Sequence, residues 1–96
     1  MTSVRRLVLD VLKPHDPSLV EFTDQLSRVD GVAGATCTLV ELDREVQNVE
    51  VTLEGEDLDV GTVESTIDGL GGTVHSVDLV ACGDRPVTPR RPPRDA

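Results

Sequence analysis

The residues able to do chemistry fall into three groups. Near the middle of the chain, Glu41, Asp43 and Glu45 alternate and approach Asn48 across a short polar stretch. In an extended strand that spacing sends the side chains to one side, a row of hard oxygen donors suited to Ca²⁺ or Mg²⁺ rather than zinc. Carboxylates stacked on one face repel, and a divalent ion, held by one subunit or shared between two, would relieve them. A solvated acidic hairpin explains the same pattern without a ligand. The second group, His75-Ser76-Val77-Asp78, contains the residue types of a hydrolytic triad. Adjacent strand residues face opposite ways, so His75 and Ser76 cannot pair as base and nucleophile, and no catalytic residue is assigned. His75 is expected to be hydrogen-bonded near the end of its strand or to meet another subunit, with Asp78 beside it as a second interface candidate. The third group is Asp10 and His15, with Lys13 between them. Asp10 shares a strand face with Arg6, which predicts an ion pair or neutralisation by an oligomer partner. His15 lies in a proline-bounded junction, as a turn or capping residue able to reach a ligand or a neighbour.

The elements that position these groups can be read in order. Residues 4–13 alternate with apolar side chains on both faces, as expected of a central strand, and the pattern stops at Pro14. Ser18-x-x-Glu21 reads as a capping box for a helix whose Leu19, Phe22, Leu26 and Val29 share one face, closing near Asp30-Gly31. A hairpin follows. In its first strand, Gly34 to Asp43, Ala35, Cys37 and Leu39 point one way and Thr36 and Thr38 the other; a turn at Arg44 to Asn48 leads to Val49, Val51 and Leu53. Asp59 can cap a second helix with Val60, Val63, Ile67 and Leu70 on its inner face, ended by Gly71-Gly72, before a last strand from Thr73 to Cys82.

This order, βαββαβ, predicts an α+β ferredoxin-like fold: a four-stranded antiparallel sheet of order 4-1-3-2 with both helices on one face. The edge strands then carry Cys37 and Cys82, a sheet's width apart, so an intramolecular disulfide is not expected. Heterologous association of one edge with the other edge of a neighbour could close into a ring. Residues 1–83 form the domain. Residues 84–96 are a Pro/Arg-rich tail with four of the six prolines and are expected to be polyproline II or disordered.

Composition limits the partners. The chain has 96 residues, Phe22 as its one Phe, Tyr or Trp, and a net charge of −9. A domain this small buries about 60–65% of its unfolded surface, so its core is thin and gains from oligomerisation. Residues 1–83 hold 5 basic and 16 acidic groups, which disfavours nucleic acid as a partner. An acidic surface with Lys13 as the only lysine suits a protein soluble in concentrated salt, as in a halophilic organism. No apolar run approaches a membrane span, and two distant cysteines make neither a disulfide framework nor a CxxC motif, so a cytoplasmic protein with reduced thiols is expected. The chain lacks the CxxC of heavy-metal domains, the junction glycine of amino-acid sensors, a phosphate loop, and sheet aromatics for stacking bases.

The runs RRLVLDVLKPH at 5–15, PSLVEF at 17–22, GV at 31–32, ELDREVQNVEVTLEGEDLD at 41–59 and GGTVHSVD at 71–78 resemble the uncharacterised archaeal family called domain of unknown function 211. The resemblance covers about residues 4–83. It implies a ferredoxin-like subunit assembled into homo-oligomeric rings, with no established biochemical activity. Cys37, Cys82 and the Arg/Pro tail lie outside it. Residues and resemblance together point to a non-enzymatic homo-oligomer acting as a binding, scaffold or regulatory module. The alternative is a divalent-cation or small-ligand binding protein with sites at the acidic hairpin or between subunits.

Overall fold

Alternation along the first strand sets the architecture. In the computed structural model, which describes residues 3–85 and 87, β1 spans Val4–Pro14. Leu7, Leu9, Val11 and Lys13 are fully buried on one of its faces, while Arg6, Val8, Asp10 and Leu12 are half-buried on the other. The chain continues through α1 (Leu19–Ser27), β2 (Val32–Leu42), β3 (Val46–Gly55), α2 (Val60–Gly69) and β4 (Thr73–Cys82). The sheet has the order β2-β3-β1-β4, and each neighbouring pair is antiparallel. The fold is ferredoxin-like α+β, with β1 and β3 central and β2 and β4 at the edges.

The core forms on the face that the helices cover. Val49, Val51 and Leu53 of β3 stand opposite Val11, Leu9 and Leu7 of β1. Phe22 and Leu26 of α1, Val63 and Ile67 of α2, and Leu58 from the loop before α2 complete one cluster. Each fully buried large aliphatic side chain contributes about 1.5–3 kcal/mol, and these few residues supply most of what the fold has.

Local signals start the helices where the sequence predicts. Ser18 Oγ accepts from the Glu21 backbone N–H at 3.1 Å, and Asp59 Oδ1 accepts from that of Thr62 at 3.2 Å. Gly31, at φ +90°, turns the chain from α1 into β2, and a Cβ there would stand 2.6 Å from the Asp57 carbonyl oxygen. Three boundaries differ from expectation. α1 stops at Ser27, with Arg28 as its C-cap. β2 starts at Val32 and β3 at Val46, because Val32 pairs with Gly55, and Gln47 and Asn48 pair with both Leu42 and Glu41 and with Lys13 and Leu12. Apart from Asp84, Arg85 and Val87, the tail lies outside the described residues. Among the described residues, no helix is long and apolar enough to cross a membrane.

Candidate functional site

The acidic hairpin is built around a bulge. Between Leu39 and Glu41 the register shifts, so Glu41 faces Asn48 while Leu39 faces Val49. Asp43 lies beyond the end of β2 and is used by the turn: its N–H donates to Val46 O at 3.0 Å, and its carboxylate accepts from the Arg44 N–H at 2.7 Å. β2 ends at Leu42, and the turn that follows breaks the alternation that would have aligned Glu41, Asp43 and Glu45. Among the described residues of one copy, no three His, Cys, Asp or Glu side chains are gathered to hold an ion. Asn48 Oδ1 is buried there without a hydrogen-bond partner.

The other polar candidates separate. His15 Nε2 hydrogen-bonds Asp43 O at 2.9 Å and ties the β1–α1 junction to the hairpin turn. Ser76 Oγ donates to Asp78 Oδ1 at 2.7 Å, while His75 is exposed and, among the described residues, makes no side-chain hydrogen bond. His75 is the extra residue at a register shift in β4, between Val74 and Ser76, and has no partner on β1. The expected Arg6–Asp10 ion pair does not form. Arg6 grips Glu54, directly opposite on β3, through Nε at 2.9 Å and Nη2 at 2.8 Å. Four residues along a strand is about 13 Å, farther than a directly opposed neighbour at about 5 Å. Asp10 instead sits between Glu50 on β3 and Ser76 on β4.

Lys13 is the residue that reading for chemistry undervalued. Its alternation with Leu7, Leu9 and Val11 places it on the core face, where it is fully buried. Nζ donates to Pro14 O at 2.8 Å and Gln47 Oε1 at 3.0 Å, and lies 5.8 Å from the centre of the Phe22 ring. Burial pushes its pKa below the ordinary lysine value, partly offset by the nearby charges of Asp16 and Cys37. Cys37, half-buried on β2, has its thiol pushed up by burial, against the opposing pull of the Thr23 hydroxyl and of Lys13. Beside it, Leu19, Val20, Thr23 and Ala35 line an open groove of about 450 Å³ between α1 and the sheet edge.

Besides Val20 on α1 and Val40 at the β2 bulge, the two sheet edges expose large apolar groups of the core side. On β2, Leu39 and Leu42 are 43% and 63% exposed; on β4, Val77 and Val80 are 48% and 50% exposed. Leu39 is opposite Val49 and Leu42 opposite Gln47, the partner of Lys13, so both point to the helix-covered side. Val77 and Val80 stand opposite Leu9 and Leu7 and point the same way. Both edges therefore present the margin of the core.

Over residues 5–96 the chain matches the family domain of unknown function 211, described as an uncharacterized ArCR family. The chain belongs to this family. It is similar to an uncharacterized protein of Methanocaldococcus jannaschii, MJ0319, at 40% identity over 95 residues, covering 99% of this chain and 98% of that one. Domain of unknown function 211 has no assigned activity to transfer to the site.

Proposed function

We propose that this protein is a non-enzymatic homo-oligomeric module, a scaffold or binding unit of a salt-adapted cell, whose copies join head to tail through β2 and β4 and close into a ring. The observation that carries the reading is the match between the two edges. β4 runs antiparallel to β1 and β1 antiparallel to β3, while β2 runs antiparallel to β3. A neighbour's β2 laid beside β4 therefore continues an antiparallel sheet. A bulge on each edge spaces Leu39 from Leu42 and Val77 from Val80 by the same three positions, all on the helix side. Setting Leu39 against Val80 also sets Leu42 against Val77, and the core runs on from copy to copy. Ring closure would leave no free edge for further strand pairing.

That register brings Glu41 of one copy opposite Asp78 of the next. Their repulsion weakens in concentrated salt, where the Debye length is about 3 Å at 1 M, so the acidic surface and the assembly suit the same conditions. Native mass spectrometry and light scattering should give one discrete oligomer in high salt. Leu39→Asp with Leu42→Asp should weaken association about a hundredfold or more, from the loss of about 1.5–3 kcal/mol per side chain, and leave a folded monomer. A wild-type monomer in high salt would end the reading.

The unpartnered Asn48 Oδ1 favours a second reading, in which a divalent cation bridges Glu41 and Asn48 to Asp78 of the next copy. Chelation with EDTA should then lower the oligomer's mass and melting temperature; an unchanged mass and melting temperature removes the cation and leaves the assembly.

A further inference from the structure

The same register leads to a covalent consequence that rests on the proposed edge-to-edge assembly. Leu39 opposite Val80 places the residues two positions further along, Cys37 and Cys82, opposite one another. We propose that Cys37 of one copy and Cys82 of the next form an intersubunit disulfide that locks the assembly under oxidising conditions.

Three observations carry this. First, both thiols are free, and β2 and β4 are the opposite edges of the sheet. Three strand spacings of about 4.8 Å put the edges some 14 Å apart, whereas a disulfide needs Cα atoms about 4.4–6.8 Å apart. Neither cysteine can reach the other within one copy.

Second, the side chains lie on the same face. Cys37 pairs with buried Val51 and packs against the core. Cys82 follows Val80 by two positions on β4 and so shares its helix-covered side.

Third, the backbone parity agrees. Asp43 N–H donates to Val46 O, so Val46 turns its hydrogen-bonding groups to β2 and Val49 and Val51 turn theirs away. Their partners Leu39 and Cys37 therefore direct N–H and C=O outward, toward a neighbour. On the far edge, Gly83 N–H donates to Ser3 O, which leaves the groups of Cys82 and Val80 facing outward as well. Opposed residues of this hydrogen-bonded kind have Cα atoms about 5.5 Å apart, inside the Cα range of a disulfide. Their Cβ atoms, about 5.5 Å apart in a regular ladder, must draw in to about 3.5–4.5 Å as the bond forms.

The chemistry is thiol–disulfide exchange with a small-molecule disulfide, RSSR, as oxidant. The exposed Cys82 thiolate attacks RSSR, giving a mixed disulfide and releasing RS⁻, which takes up the proton Cys82 lost. The Cys37 thiolate of the adjoining copy then attacks Cys82 Sγ and displaces a second RS⁻, which is likewise protonated. Two thiols are oxidised to one disulfide and RSSR is reduced to two RSH. The half-buried setting of Cys37 makes the second step the slower one.

The test uses the full chain, with Cys37→Ser and Cys82→Ser variants checked for folding by circular dichroism, each incubated with oxidised glutathione in high salt. Wild type should give a covalent ladder on non-reducing gels, collapsed by dithiothreitol, and a linked peptide joining Cys37 to Cys82. Each variant alone should give no ladder, and an equimolar mixture of the two should give a covalent dimer and nothing larger. Native mass spectrometry of the same reduced samples separates this inference from the assembly it rests on. An oligomer without the Cys37–Cys82 link, or a link joining Cys37 to Cys37 or Cys82 to Cys82, overturns the disulfide alone. A monomer in both redox states overturns both.

Discussion

The centre and the edges of the sheet are made of strands of nearly equal length, yet they differ in burial. β1 and β3 together hold seven fully buried side chains, from Leu7 to Leu53, while no residue of β2 or β4 is fully buried. Propensity does not explain this, since all four strands carry several Val and Leu residues. The difference is one of covering. The inward side chains of two helices of 9 and 10 residues converge on β1 and β3 in one core cluster. Each helix backbone approaches a single edge strand, α1 near β2 and α2 near β4, and leaves the outer rows of those edges half-closed. The apolar margins on both sides are matched in spacing to each other, and in the proposed assembly a second copy would complete the core there.

That contrast can be broken by truncating one apolar residue in each region. Leu9→Ala should cost the isolated subunit about 2–5 kcal/mol in urea unfolding. Leu39→Ala should cost it no more than about 0.5 kcal/mol while weakening association measurably. Equal losses in a dissociated subunit would mean that the β2 edge is already part of the core.

A smaller effect concerns Lys13, the one fully buried charged side chain among the described residues. Because burial lowers the pKa of Lys13, the unfolded chain binds more protons than the folded one between the lowered value and the ordinary 10.5. Stability contributed by Lys13 therefore rises with pH across that window and levels off above it. Lys13→Met should remove this rising component. Cys37 adds the opposite slope above its ordinary 9.0 and interacts electrostatically with Lys13, so the comparison is made in a Cys37→Ser background, where the difference isolates the lysine. Parallel pH profiles would show that the ammonium is not desolvated as its position implies.

The smallest effect sharpens the register at the edge. Glu41→Gln should strengthen association at low salt by about 0.2–1 kcal/mol, roughly the value of an exposed charge pair, and change it little at high salt. The same gain at every salt concentration would place Glu41 away from a neighbour's acid.

Much of the fold was legible in the residues. Ser18 and Asp59 cap the helices they precede, Phe22, Leu26, Val63 and Ile67 fall on the buried faces, and the two-sided pattern of β1 places it in the centre. Period and capping are local properties, so sequence spacing carries them. The polar candidates were less legible because their partners are distant in sequence. Arg6 reaches Glu54, not Asp10, and His15 reaches the carbonyl of Asp43.

The sequence by itself determined the element order, the helix faces, the central place of β1 and the edge positions of Cys37 and Cys82, because alternation and helical period depend on neighbours along the chain. Only the tertiary structure decided that Lys13 is desolvated against Phe22, and that Glu41, Asp43 and Glu45 are not gathered. It also decided that the bulges give Leu39, Leu42, Val77 and Val80 a common side and spacing. A bulge adds one residue to one strand of a pair, and its effect on facing exists only once that strand has a partner.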